Sequence, residues 1–322
     1  MQIWPDTKKE SSNGCCSLTA VDDARRVAEK LGIPYYVLNF KEVFNKEVIQ
    51  YFIEEYRRGR TPNPCVMCNK YVKFAELLDR ALAMDFDYIA TGHYAKIAKK
   101  DGRFLLEKSA SIAKDQTYAL YNLTQKQLAR TIFPLGDYDK DHVREIARDL
   151  ALTVANKPDS QEICFVEDND YAKFIQEHSD SAVKPGDFVD STGKILGQHK
   201  GIYHYTIGQR KGLGIAVGRP LYVIDVDVVK NQVVLGDESE LLANHLIARH
   251  LNWIAFASLE KPLQAAAKIR YGSREVPVEV RPLADGRVDV HFLQPQRAIT
   301  PGQSIVFYDG NTVLGGGVID EC

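Results

Sequence analysis

The sequence lacks any apolar run near the roughly 18 residues that a membrane-spanning helix needs. Its first 20 residues are polar, without the charged-then-apolar order of a secretory signal. No membrane role is expected, and a cytoplasmic location is. Cysteine is scarce: six in 322 residues (Cys15, Cys16, Cys65, Cys68, Cys164 and Cys322), unevenly spaced. Disulfide frameworks belong to far shorter and cysteine-denser chains, so these are read as thiols in a reducing compartment. Charge of one sign is missing as well. At a formal net charge of −2 nothing global draws the chain to nucleic acid, and any such role must rest on local basic surface. There is no second C-x-x-C and no histidine pair accompanied by cysteines; His199 and His204 stand apart on a strand-rich segment. No metal site is therefore expected. Internal repeats and low-complexity tracts are absent, while 45% hydrophobic residues supply core for two or three domains.

What is present centres on Thr61-Pro62-Asn63-Pro64-Cys65-Val66-Met67-Cys68-Asn69-Lys70. Pro62 and Pro64 hold the backbone extended and bias the residues before them away from helix, so the helix is expected to begin no earlier than Cys65. Val72, Phe74, Ala75, Leu77, Leu78, Ala81 and Leu82 then recur at helical spacing, placing Cys68 in or just before the first turn. Unpaired amides and the positive end of the helix dipole favour a thiolate at such a position.

Helices are expected over about 20–31, 43–58, 124–132, 139–150 and 170–177, and strands over 35–40 and 85–91. Strands alternating with helices imply a mostly parallel sheet. Asp101-Gly102 marks a hairpin between 93–98 and 103–108. Beyond Cys164 the chain becomes mainly β, with turns at Ser191-Thr192-Gly193, Lys230-Asn231 and Asp285-Gly286. The alternating runs 221–229, 232–235, 276–280 and 288–292 suggest a small barrel. Leu241–His245 reads as a connector into that terminal module.

Several segments offer chemistry. Cys65 and Cys68 form a C-x-x-C pair compatible with zinc, with redox exchange, or with one working thiol beside an incidental one. Cys164 follows polar Lys157, Asp159 and Ser160 and is flanked by Ile163 and Phe165, so both a site edge and plain core fit. Ala90-Thr91-Gly92-His93-Tyr94 closes a predicted parallel strand, where ligands of open α/β sheets bind. Lys114-Asp115-Gln116 carries a cation, an acid and an amide suited to phosphate and base contacts, or forms a solvated turn. Gly208-Gln209-Arg210-Lys211-Gly212 matches neither the Rossmann nor the Walker spacing and reads as a basic loop, with Arg270 adding local positive charge.

In register, these segments resemble the tRNA-specific 2-thiouridylases of the MnmA/TrmU type. The resemblance runs through Gly59–Pro64 with Cys68-Asn69-Lys70, Ala90–Tyr94, Lys114–Gln116, Asp159-Ser160 with Ile163–Phe165, Tyr205–Gly212 and Thr300-Pro301-Gly302-Gln303, nearly the whole chain. It implies an α/β nucleotide-binding domain with a parallel sheet (PP-loop ATP pyrophosphatase type, 1–165), a small central domain (166–240) and a C-terminal β-barrel (241–322). It also implies that ATP, with magnesium, adenylates the 2-oxygen of the wobble uridine of tRNA and that persulfide sulfur replaces it. By resemblance Cys164 carries the persulfide, and Cys68 attacks it and forms a transient disulfide with Cys164. Met1 and Gly92 contact ATP; Asn63, Pro64 and Cys65 hold the target base; His93, Lys114, Asp115, Gln116, Arg270, Tyr271 and Gln303 contact tRNA. The implied partners are tRNA and a sulfur donor such as a cysteine desulfurase or a sulfur-relay protein.

The sequence departs from that pattern in two places. It contains no Ser-Gly-Gly-Val-Asp-Ser-Ser loop, which grips pyrophosphate in the family, and Met1 aligns with the family's second strand. For the chain as given, ATP-dependent thiolation is accordingly expected to be absent or very weak. Cys65 stands where some relatives carry an acid. Two alternatives remain beside the enzyme: a truncated, non-catalytic paralogue that binds tRNA or carries persulfide sulfur, and a thiol oxidoreductase using Cys65 and Cys68.

Overall fold

Hydrophobic spacing changes character along the chain, and a computed structural model divides it accordingly into Met1–Gln50 with Pro64–Asp170, and Tyr51–Asn63 with Tyr171–Cys322. The structure describes residues 1–3, 18–157, 163–166, 170–178 and 184–322. Cys15, Cys16, Asp159 and Ser160 lie outside them.

In the first unit the strands are short. Ile89–Ala90 (β1) is followed by the hairpin Ala95–Lys100 (β2) and Arg103–Lys108 (β3), then by Thr131–Ile132 (β4). β1 and β4 pair in parallel, Ile89 facing Thr131, as expected of the α/β class. The β2–β3 turn takes positive φ at Asp101 and Gly102 (49° and 78°), the geometry that matches the twist of paired strands. Gln2 bridges Asn39, also in parallel, with 2.8 Å bonds from Gln2 N–H to Leu38 O and from Phe40 N–H to Gln2 O. The rest of the expected 35–40 strand lies outside any ladder, and Tyr36 and Val37 are exposed.

The helix expected over 124–132 stops early. Thr124 and Gln127 cap each other around the single turn Gln125–Leu128, and β-branched Thr131 and Ile132 join β4 instead. Leu18–Leu31 is helical and ends at Gly32 with φ 65°. Lys140–Asp149 is helical as expected, with Asp139 accepting a 2.8 Å bond from the His142 amide. The core of this unit takes Phe44, Val48, Val66, Val72, Phe74 and Leu78 from helical faces, all essentially solvent-free.

In the second unit Gly186–Asp190 (β5), Ile195–His199 (β6), Tyr222–Asp227 (β7) and Gln232–Gly236 (β8) form a sheet ordered β6-β5-β8-β7, with β5 and β8 parallel. Phe188, Val223, Val233 and Leu235 fill its core. The helices Tyr51–Arg57 and Tyr171–Glu177 meet through aromatic pairs, Tyr56–Tyr171 at 5.1 Å and Phe52–Phe174 at 6.4 Å between centroids.

The C-terminal strands Leu242–Trp253 (β9), Leu263–Lys268 (β10), Val276–Pro282 (β11), Val288–Arg297 (β12), Ser304–Asp309 (β13) and Thr312–Glu321 (β14) run in the order β13-β10-β11-β12-β9-β14. Pairing of β13 with β14 closes the barrel. Alternation decides which side chains face in: Leu246, Ala248, Val278, Val280, Val288, Val290 and Phe292 pack inside, so their odd-numbered neighbours point outward. Leu241–His245 is not a connector. A box between Asp237 and Glu240 closes a short turn at Leu241, and β9 starts at the next residue.

Candidate functional site

The helix carrying the C-x-x-C pair begins at Pro64, one residue earlier than expected. Proline suits a first helical position because that residue's missing amide would have had no partner there. Cys65 therefore sits in the first turn, and Cys68 opens the second. Cys65 is exposed and Cys68 half-buried, both as thiols. From Cys68 to Glu76 the helix is wound as a π-helix, a wide winding that recurs at functional sites.

Two stretches distant in sequence meet this helix, at Ala119 and at His93, and the Lys114–Gln116 loop holds the second of them. The Asn69 side chain is buried and donates to Ala119 O at 3.0 Å, while its own Oδ1 is buried without a hydrogen bond. Phe74, one turn on, packs on the His93 ring at 5.6 Å between centroids. The Tyr94 backbone is clasped by Gln116, whose Oε1 accepts from Tyr94 N–H at 2.9 Å and whose N–H donates to Tyr94 O at 3.0 Å. Asp115 is buried as well, accepting from Ser109 N–H (3.1 Å) and Thr117 Oγ1 (2.6 Å). Asp115 and Gln116 thus shape their own loop, and Lys114 between them and solvent is half-buried.

His93 is buried between Phe74 and Phe133, with Nδ1 2.8 Å from Thr91 Oγ1. Burial first, and the Lys73 charge second, push its pKa down to about 3. The ring is neutral near pH 7 and acts as a fixed aromatic post rather than a cation. Gly92, just before it, is exposed beyond the carboxyl end of β1, and a Cβ there would meet only Leu135 Cδ1 at 3.7 Å. That openness fits a nucleotide at the end of a parallel strand. Met1 is half-buried beside the Gln2 bridge.

Cys164 is half-buried in a turn closed by Val166 N–H to Ile163 O at 3.0 Å. Its neighbour Phe165 is the buried residue, set edge-on against Phe44 at 5.9 Å. Phe165 anchors the turn, and Cys164 is on its partly open side; the plain-core alternative describes Phe165 better than Cys164.

In the second unit the segment Gly59–Asn63 is tied to the barrel. Thr61 N–H donates to Pro301 O at 2.9 Å, and Gln303 Nε2 donates to Thr61 O at 2.8 Å and to Pro62 O at 3.4 Å. Arg60 joins Asp320 at 2.8 Å, an acid also approached by Arg249 at 3.1 Å. Asn63 is half-buried. Gln303, expected at tRNA, holds this loop. Arg210 and Lys211 are exposed on a loop built by Gly208 N–H to Val223 O (2.8 Å) and Val223 N–H to Gln209 O (3.0 Å). Arg270 and Tyr271 are exposed too, Arg270 donating to Arg297 O at 3.3 Å.

Sequence reasoning gave Asn69, Thr117 and Arg60 no role of their own. Asn69 and Thr117 were the findable ones: each is polar at a position that the surrounding apolar spacing would bury.

Residues 1–168 match the family model described as "tRNA methyl transferase HUP domain", 172–237 its "PRC-barrel domain" and 243–319 the "Aminomethyltransferase beta-barrel domain". The chain is 60% identical over 324 residues to the tRNA-specific 2-thiouridylase MnmA of Acetivibrio thermocellus, covering 99% of this chain and 90% of that protein. It is 60% identical over 326 residues to tRNA-specific 2-thiouridylase MnmA 2 of Caldanaerobacter subterraneus subsp. tengcongensis, covering 100% and 90%. With the corresponding protein of Clostridioides difficile it shares 55% over 324 residues, covering 100% and 90%. The family models and these relatives use different words for the reaction, but both place it on tRNA. At this identity and coverage, the chain belongs to the tRNA-specific 2-thiouridylase family.

Proposed function

We propose that the chain is a tRNA-uridine 2-sulfurtransferase, acting on the wobble uridine with ATP and persulfide sulfur in the cytoplasm. The observation that carries this reading is a chain of contacts linking three motifs: the helix that carries Cys68 packs Phe74 on His93 of the Gly92-His93-Tyr94 strand end, and Gln116 of the Lys114–Gln116 loop clasps Tyr94 of the same strand end. Cys164 lies in the same unit. No helix among the described residues is long and apolar enough to cross a membrane.

A carbonyl oxygen is a poor leaving group. Transfer of AMP from ATP to the uridine 2-oxygen, with release of pyrophosphate, makes it a good one. The terminal sulfur of a Cys164 persulfide attacks C2 and AMP departs. Cys68 thiolate then attacks the Cys164 sulfur, the S–S bond to the transferred atom breaks, and a Cys68–Cys164 disulfide remains for an external thiol to reduce. Gly92 would give the adenine nucleotide room, with Met1 beside it, and magnesium would supply positive charge to offset that of the phosphates. Asn63, Pro64 and Cys65 border the target base. Lys114, Arg270 and Tyr271 supply exposed or half-exposed tRNA contacts, while His93, Asp115, Gln116 and Gln303 act mainly by holding the segments around them. A cysteine desulfurase or sulfur-relay protein loads the persulfide. The three-part division into 1–165, 166–240 and 241–322 belongs to this reading.

The test follows sulfur by mass and by trapping. Treated with a persulfide donor, the chain should gain one sulfur atom at Cys164; with the family's Ser-Gly-Gly-Val-Asp-Ser-Ser segment joined to it, unmodified tRNA should then promote a Cys68–Cys164 disulfide when ATP is supplied. Cys68→Ser should load normally but form no disulfide; Cys164→Ser should not load. In the chain joined to the Ser-Gly-Gly-Val-Asp-Ser-Ser segment that the family carries, thiolated tRNA should fall at least 100-fold with either substitution while tRNA binding persists. Disulfide reduction requiring Cys65 and Cys68 but indifferent to Cys164 would replace this reading with a thiol oxidoreductase.

A further inference from the structure

We propose that His245, Asp289 and His291 form a zinc-binding site on the outer face of the C-terminal barrel, clipping β9 to β12. His245 and His291 are direct cross-strand partners, and Asp289 lies two residues before His291 on the same outward face. The inward positions between them, Leu246, Val290 and Phe292, are barrel core, so strand alternation sends all three ligating side chains to one side. Both imidazoles converge on a single carboxylate: His245 Nε2 is 2.6 Å from Asp289 Oδ1, and His291 Nε2 is 2.9 Å from Oδ2. One ligand atom from each residue lies within 4.8 Å of the others. A tetrahedral zinc ion with bonds near 2.1 Å needs ligand atoms about 3.4 Å apart, which small side-chain rotations supply.

The surroundings point to a cation. Asp289 Oδ1 is buried and, though His245 Nε2 approaches it at 2.6 Å, it accepts no aligned hydrogen bond, which leaves a carboxylate oxygen short of a donor. Strand pairing sets Arg281 directly across from Asp289, yet its guanidinium turns to Glu279, donating to Oε2 at 2.8 Å. Arg281 and Glu279, the charged groups facing this patch from β11, therefore occupy each other. Two imidazoles and one carboxylate, with a fourth position left to water, are a donor set that zinc takes readily. The place also has a use for a clip. The β9–β12 ladder shifts register immediately after His291, where hydrogen bonds alone hold the strands less well.

The test uses the full chain with its cysteines alkylated, so that no thiolate competes. Isothermal titration with zinc chloride at pH 7.5 should show one equivalent bound and a raised melting temperature. His245→Gln/His291→Gln should weaken binding at least 100-fold and Asp289→Asn at least 10-fold, both abolishing the thermal shift; circular dichroism matching the parent shows that the barrel is intact. Cobalt in the same alkylated protein should give visible absorption from nitrogen and oxygen ligands that disappears in the double histidine variant. Zinc affinity unchanged in that variant, or no zinc bound by the parent chain, overturns the proposal.

Discussion

The first unit and the barrel of the second solve the same problem, holding polar chemistry in place, by opposite means. In the first unit polar side chains go inside: Asn69, His93, Asp115 and Thr117 are all buried, and each is used to hold a neighbouring segment. In the barrel the interior is aliphatic and aromatic, and charged groups stay on the outside, where Arg60, Arg249 and Arg287 gather around Asp320. A buried polar network is unforgiving of small changes because an unmatched donor or acceptor costs its full desolvation. An apolar barrel is forgiving at its surface and unforgiving in volume. Precision thus belongs to the unit with the thiols, and rigidity to the barrel that holds Gly59–Asn63.

The largest expected effect probes the barrel's volume. Phe307 is solvent-free and stacks on Trp253 at 5.5 Å. Phe307→Ala should cost about 3–5 kcal/mol, read as a lower urea midpoint for the barrel. If Trp253 fluorescence unfolds at the parent's midpoint, the barrel is not the rigid anchor described.

A smaller effect separates the two units by pH. His93 is neutral in the fold with a pKa near 3, whereas an unfolded histidine titrates near 6.5. The unfolded chain binds the extra proton, so this contribution is fully present above about pH 6.5 and drains away as pH falls toward 3. At pH 5 the loss is about 2 kcal/mol. His93→Phe should flatten the stability profile between pH 5 and 6.5; an unchanged slope would mean that His93 is not held neutral.

Much of this was legible in the residues. Period-two alternation and the Asp-Gly and Ser-Thr-Gly turns locate the hairpins, and residue type alone marks the proline loop, the Gly92 strand end and Cys164 beside its polar lead-in. What escaped depended on partners distant in sequence. Thr131 and Ile132 sit within helical spacing and become a strand only because β1 lies alongside. The roles of Gln303 and Arg60 needed Thr61 and Asp320 to be near them. His245 and His291 were invisible as a pair for the same reason: motif spacing registers neighbours along the chain, and these two are neighbours only across strand register.

The smallest effect concerns where the two strategies meet along the chain, at the loop that leads into the thiols. Gly302 has φ 91°, a region that suits glycine, and a Cβ there would lie 3.0 Å from Thr61 N and from Arg60 Cβ. Gly302→Ala therefore combines backbone strain with a push against backbone that cannot rotate away. The expected stability cost is about 1–2 kcal/mol, less than for Phe307, because the strain is local and the aromatic core is untouched. Its effect on function should be out of proportion to that cost. Displacing Thr61 loosens the bonds from Thr61 to Pro301 and from Gln303 to Thr61, and the next residues in the chain are Asn63, Pro64 and Cys65, proposed to border the base. Persulfide loading at Cys164 should be normal in this variant, while tRNA-dependent formation of the Cys68–Cys164 disulfide, read in the chain joined to the family's Ser-Gly-Gly-Val-Asp-Ser-Ser segment, falls about tenfold. If loading and disulfide formation fall together, Gly302 supports the fold in general; if neither falls, the barrel does not position the loop.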